Sequence, residues 1–231
     1  MEKLARYLRP VVALVLPWRL GNASKDVPVG ACFLWTVLAG IAVYPAISFT
    51  HRGVDFALGR LPEVRVLVPS GAHAVEDEGA GELAGLGFAV AVQKASWGFA
   101  WFAGGLASGM VTLGALVGML YLCKLIAGAS GPVLRGAAGM SLWLPISAVA
   151  FTWIGRSRGG EHATLLLVAA ALLGVWIVSG VVVGATSMLG RAPKARRWIS
   201  ALVAGALVGP ILAVGVQPAV QAIFLWQRVM W

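Results

Sequence analysis

Five long apolar runs, separated by short polar or basic segments, set the pattern of this chain. They lie at about 27–50, 95–123, 137–154, 162–188 and 198–226. Each is close to or longer than the roughly 20 residues that an α-helix needs to cross a bilayer. In hydrocarbon a backbone must satisfy its own hydrogen bonds, so runs of this length predict membrane-spanning helices. Ahead of them, Lys3, Arg6 and Arg9 recur at helical spacing, with Leu4, Leu8, Val11, Val12 and Val15 towards the other side. The segment 3–18 therefore predicts an amphipathic helix lying in the headgroup region, too short to span and kinked or ended by Pro10 and Pro17. The apolar core 11–16 is also too short for a signal peptide, so the N-terminus reads as mature sequence.

Prolines and glycines divide the rest. Pro45 and Pro145 fall inside the first and third runs, and Pro28 suits a first helical turn. The polar stretch 51–82 carries Pro62, Pro69, Gly71, Gly79 and Gly81 and reads as a loop, with room for a short strand at 60–68. The stretch 83–123 reads as an amphipathic lead-in, 83–93, running into one long span. A hairpin at Gly104 and Gly105 is the competing reading. Short loops are expected at 124–136, 155–160 and 189–197. The predicted fold class is all-α: a polytopic integral membrane helix bundle of about five transmembrane helices with an N-terminal amphipathic interfacial helix. Its organisation is a cytoplasmic N-terminal segment at 1–26 and a five-span domain at 27–231.

Composition agrees with this pattern. Of 231 residues, 59% are hydrophobic and 12% charged, against about 25% charged in soluble domains. Mean hydropathy is +0.86. The net charge of +9 would raise nucleic acid as a partner in a soluble chain. Here the bases sit beside apolar runs without interleaved aromatic platforms, so the positive-inside rule accounts for them and no nucleic acid is expected. With five spans, eleven Lys and Arg fall on the N-terminal side and seven on the other. The N-terminus is thus expected in the cytoplasm and the C-terminus outside, although Arg156 and Arg158 oppose this. Trp18, Trp97, Trp153, Trp198, Trp226 and Trp231 fall near the expected interfaces, where aromatic belts form. The Ala, Gly, Val and Arg bias points to a GC-rich bacterial genome and its inner membrane.

Chemistry is sparse. No Asp, Glu, Lys, Arg or His lies inside the five expected cores, where ion-coupled transporters place ionisable groups. His51, His73, Glu76, Asp77, Glu78, Glu161 and His162 would share the outer side, but their spacing matches no zinc signature. Neither a metal nor a cofactor is expected. Ser141, Ser147 and Ser179 lack acid or His partners, and no phosphate loop is present, so the chain does not read as an enzyme. Cys32 and Cys123 read as small buried hydrophobes. Gly105 and Gly109, Gly114 and Gly118, Gly180 and Gly184, and Gly205 and Gly209 are each four apart, with Ala201 extending the last pair. Such faces let helix backbones approach closely. They serve packing within the chain, or one of them docks another membrane subunit. Gln217 and Gln221 lie one turn apart in the fifth run and suit hydrogen bonds across helices, with a polar pore or ligand contact as the lesser alternative.

Two stretches carry a family pattern. In MLYLCKLIAGASGPVLRGAAGMSLWLPISAVAFTW, from Met119, a helix ends in a basic residue and a glycine, Lys124 and Gly128. A short loop then leads to a span with a central Pro145. In LLGVWIVSGVVVGATSMLGRAPKARRWISALVAGALVG, a span, a short basic loop and a further span follow. Both resemble the YIP family, the Ypt/Rab-interacting multi-pass membrane proteins, and its bacterial relatives. The resemblance implies five spans, a cytoplasmic N-terminus and a non-enzymatic organiser that binds partner proteins. It implies no catalytic residues.

The leading expectation is a non-enzymatic subunit or scaffold of a larger membrane assembly, with membrane lipids and other integral membrane subunits as partners. The alternative is a transport component, a permease-like subunit or lipid-handling channel, with Pro45, Pro145, Pro210 and Pro218 breaking helices around a path. Six spans would place the basic loop 189–197 outside, against the charge rule, so charge favours five. Alkaline phosphatase fused after Trp231 is expected to be active, and a fluorescent protein fused there dark. The reverse pair of results would put the C-terminus in the cytoplasm and overturn five spans.

Overall fold

A computed structural model describes residues 27–57, 80–128, 133–156, 163–189 and 192–230, together with the single positions 8, 11 and 19. Seven helices make up these segments: α1 (Val29–Ile41), α2 (Val43–Ala57), α3 (Ala80–Ala127), α4 (Val133–Ser141), α5 (Leu144–Arg156), α6 (Ala163–Met188) and α7 (Lys194–Met230). The described chain is all-α. Four stretches are long and apolar enough to cross a membrane, Val29–Thr50, Ala95–Ala127, Ala163–Thr186 and Lys194–Arg228, and the bent pair α4–α5 makes a fifth when taken as one span.

The stretch that allowed two readings is one helix. α3 runs through Gly104 and Gly105 without a break for 48 residues, or about 72 Å at 1.5 Å per residue. Glycines alone do not end a helix whose neighbours supply tight packing. Several expected loops are shorter than polarity implied. α2 continues to Ala57 and α3 begins at Ala80, so the loop expected at 51–82 narrows by both ends. The residues 51–57 are polar but hold no proline, and polarity marks the exit from an apolar layer rather than the end of a helix. Likewise α3 persists to Ala127, α4 starts at Val133, and α7 starts at Lys194 inside the expected basic loop. The expected strand at 60–68, most of the N-terminal amphipathic segment and the lead-in's side chains lie outside the described residues.

Proline explains both helix breaks. Pro45 has no N–H to give to the carbonyl of Ile41, so α1 ends there and α2 restarts after Ala42. Ala42 N–H still reaches Leu38 O at 2.9 Å, and Ala46 N–H reaches Ala42 O at 3.0 Å. The orphaned Ile41 carbonyl is taken by the indole N–H of Trp101 on α3, at 2.9 Å. Pro145 acts similarly between α4 and α5, which meet at a bend of 42°. Trp143 N–H closes α4 on Met140 O at 3.1 Å, and Trp143 O opens α5 by accepting from Ser147 N–H at 2.8 Å. Pro145 then lies in the first turn of α5, where a missing N–H costs nothing. α3 ends at Gly128, whose φ of +64° is a left-handed value that disfavours any residue with a Cβ.

α3 is the central element. α7 lies antiparallel along it, paired from Ser96 with Trp226 at one end to Cys123 with Ser200 towards the other. α1 lies antiparallel on the adjacent flank of α3, with Thr36 at Gly109 and Gly40 at Gly105. α6 packs on α7 and α5, and α4 on α1 and α3. The core of Leu116, Met140, Trp143, Leu144, Val208 and Leu212 fills the space between these helices.

The Trp101–Ile41 bond yields a specific expectation. Trp101→Phe should destabilise the protein by about 1–2 kcal/mol, the cost of leaving a part-buried carbonyl unpaired. In a Pro45→Ala background the new N–H can serve Ile41 O, and the same change should cost much less. Denaturant unfolding of the four proteins measures this coupling.

Candidate functional site

The glycine pairs divide by what faces them. A Cβ at Gly105 would stand 2.7 Å from Ile41 Cα, and one at Gly109 would run into Thr36 O and stand 3.1 Å from its carbonyl carbon. Gly40 answers from α1, where a Cβ would collide with Gly105 O and sit 2.7 Å from Gly109 N. These contacts are with backbone, which cannot swing aside. Gly105 and Gly109 therefore serve packing within the chain. So does Gly205, where a Cβ would meet Val182 Cγ2 at 2.9 Å and Val178 Cγ1 at 3.4 Å on α6. Ala201 is buried one turn before it. Gly180 and Gly184 are buried as well, with Met140 Cε 3.7 Å from a Cβ at Gly184.

Gly114 and Gly118 differ. Both are exposed, and a Cβ at either would meet nothing within 4 Å. They lie on one face of α3 that continues through exposed Val111, Tyr121, Leu122 and Leu125. Gly209 is also exposed with open space at its Cβ position, so the pair Gly205 and Gly209 is split between a used and an unused position.

The polar residues expected to bridge helices do not do so. Gln217 and Gln221 are exposed on α7 and have no hydrogen-bond partner among the described residues. The face of α7 that meets α3 is instead Gly215, Pro218, Ala219 and Ala222. A four-residue spacing places Gln217 and Gln221 on one face, but spacing alone does not tell which face is turned inward. Shorter side chains carry the bridging. Ser108 Oγ accepts the peptide N–H of Ala219 at 2.8 Å, one residue after Pro218. Thr112 Oγ1 donates to Ser108 O at 2.7 Å and lies where a Cβ on Gly215 would be. Thr36 and Ser141 hydroxyls stand 3.2 Å apart across α1 and α4. Cys123 Sγ donates to Ser200 O at 3.2 Å. The signal that pointed to these residues was present in part: small hydroxyl residues one turn from glycine, at positions 104–112, opposite a proline-containing helix.

The remaining candidates separate cleanly. Ser141 and Ser147 are buried and donate to Ala138 O and Leu144 O, each at 2.7 Å, and exposed Ser179 donates to Trp176 O at 2.9 Å. Hydroxyls spent on their own helix in this way are structural. Trp143 is buried at the α4–α5 break, and its indole N–H has no partner among the described residues. An open groove along α6, lined by Ala171, Gly174, Val175, Val178, Ser179 and Val182 among others, is apolar throughout. The acidic and His residues expected on the outer side lie outside the described side chains, and no group of three or more metal-ligating side chains occurs among the described residues.

Gly105→Ala and Gly109→Ala are expected to lower stability by about 1–3 kcal/mol, the range for overpacking a tight contact. Gly114→Ala and Gly118→Ala should leave it unchanged or slightly raised, since Ala is the better helix former. Unfolding in a denaturing detergent series compares the four. No protein-family model, no curated protein and no solved structure matches this chain.

Proposed function

We propose that the chain is a non-enzymatic integral membrane protein that acts as a subunit or scaffold of a larger membrane assembly. Its docking face is the Gly114–Gly118 side of α3. The observation that supports this most is the contrast on one helix. Two glycines of α3 are filled by α1 at backbone distance, while two others of the same spacing stand open. In lipid there is no hydrophobic drive between helices, so an open small-residue face gains packing only when another helix enters it. The exposed Tyr121, Leu122 and Leu125 extend that face with larger side chains that a second helix would interleave. The resemblance to the YIP family, whose members bind partner proteins, fits the same reading. The reading places the chain in a bacterial inner membrane, with the N-terminus in the cytoplasm and the C-terminus outside.

The transport alternative has less support. α1 and α7 both approach the backbone of α3 too closely for a path to run between them, at Gly40–Gly105 and at Ala219–Gly104. The exposed Gln217 and Gln221 face away from that seam.

The test is a pair of Leu substitutions. Extracted in mild detergent, the wild-type chain should run at a mass larger than its own 24.0 kDa plus detergent, in company with another integral membrane protein. Gly114→Leu combined with Gly118→Leu should keep the melting temperature and release the chain as a monomer. A wild-type chain that purifies as a lone monomer would remove the reading.

A further inference from the structure

The end of the α3–α7 pair opposite Trp226 gathers positive charge. Lys124 lies in the last turn of α3, and Lys194, Arg196 and Arg197 form the first turn of α7. The contacts around them fix this juxtaposition. Cys123 Sγ bonds Ser200 O, Ser200 Oγ bonds Arg196 O at 2.8 Å, and Arg196 Nη1 stands 3.9 Å from the Cβ position of Gly128. Beneath them Ala127, Leu189 and Ala192 form a small apolar cluster that ties the α6–α7 connection to the end of α3.

The sequence around these residues does little to balance this charge. The first turn of α7 holds no acidic residue, and from Leu83 to Trp231 the chain carries a single one, Glu161. The end of α3 accounts for part of it, because cations near a helix C-terminus are favourable. Arg196, leaning towards Gly128, and Lys124 are of that kind. Lys194 and Arg197 stand at the positive end of the α7 dipole, where each cation is disfavoured. Two cations held against the dipole beside two more are a frustrated arrangement that an anion would relieve.

Depth identifies the anion. Directly after these residues come exposed Trp198, Ile199 and Leu202, and Leu122 and Leu125 are exposed beside Lys124. Tryptophan favours the membrane–water interface, which puts the four cations at headgroup level with apolar surface below them. We propose that this end of the α3–α7 pair binds an anionic phospholipid, its phosphate held by Lys124, Lys194, Arg196 and Arg197 and its acyl chains lying on the exposed apolar residues beneath. A free phosphate offers the same anionic oxygens but leaves that apolar surface unused.

The experiment counts bound lipid. The purified full-length protein in mild detergent is exposed to equal amounts of phosphatidylglycerol and phosphatidylcholine and examined by native mass spectrometry. Phosphatidylglycerol should be retained preferentially. The combined Lys124→Gln, Lys194→Gln and Arg197→Gln variant should lose that preference by at least about tenfold, since juxtamembrane cations each favour anionic lipid. Lys124→Arg with Lys194→Arg should retain it, which separates charge from side-chain shape if the Gln variant folds poorly. Arg228→Gln, exposed at the far end of α7, should change nothing. Equal retention of the two lipids, an equal loss in the Arg228 variant, or full displacement by inorganic phosphate at millimolar concentration would overturn the proposal.

Discussion

The backbone of α3 is approached from two sides at once, and the rest of the fold is arranged around that contact. Gly105 and Gly109 present bare backbone to α1, and Gly104, one residue away, presents it to α7, where a Cβ would meet Ala222 Cβ at 2.6 Å. Residues 104 and 105 point about 100° apart on a helix, so two neighbours can be seated on adjacent flanks without touching the same atoms. Any side chain at these positions would push one neighbour outward. The core residues that bridge α1, α3 and α7, Leu116, Leu144 and Leu212 among them, would then lose their contacts together. Dispersion contacts and backbone-level packing provide the cohesion here, because burying apolar side chains away from lipid gains little.

The prolines work within the same contact rather than against it. Each proline leaves one carbonyl without its usual donor, a cost that grows where no water is available. At Pro45 the donor comes from α3, through Trp101. At Pro218 the traffic is reversed, and α7 supplies a peptide N–H to Ser108 of α3. In both cases the helix that packs closest supplies a hydrogen-bond partner beside the proline. The distortion and the tight packing therefore meet at the same helix contacts. Pro145 needs no such help, since it sits in the first turn of α5 and the break at Trp143 closes its own bonds.

This division explains what was legible in the sequence. Apolar runs located the spans because hydropathy is a sum over many residues and tolerates local error. Ends were less well placed. His51 to Ala57, and Lys194 to Arg197, are polar yet helical, because helix propensity is satisfied by the backbone whether or not the side chain is wet. Faces were the least legible. A four-residue repeat marks Gly105 with Gly109 and Gly114 with Gly118 alike, and marks Gln217 with Gln221 as well. Which of these meets a neighbour depends on helix rotation, and in a nearly uniform apolar helix no polar stripe reports it. The choice between one helix and a hairpin at Gly104 and Gly105 turned on the same property. Those glycines read as a turn only if their neighbours α1 and α7 are ignored.

The exposed and the buried glycines of α3 bear the same intrinsic cost. A helix interior glycine costs about 1 kcal/mol relative to alanine, and α3 offsets that cost at Gly104, Gly105 and Gly109 with close backbone contact. Gly114 and Gly118 bear the same cost with no contact to offset it. A chain free to vary there gains stability from alanine, so the chain by itself carries an uncompensated cost at that face. The clustered cations at the near end of the same helix pair tell a parallel story in charge. One imbalance concerns shape and the other electrostatics, and the two proposed partners, a helix in the first case and an anionic headgroup in the second, would each relieve one of them.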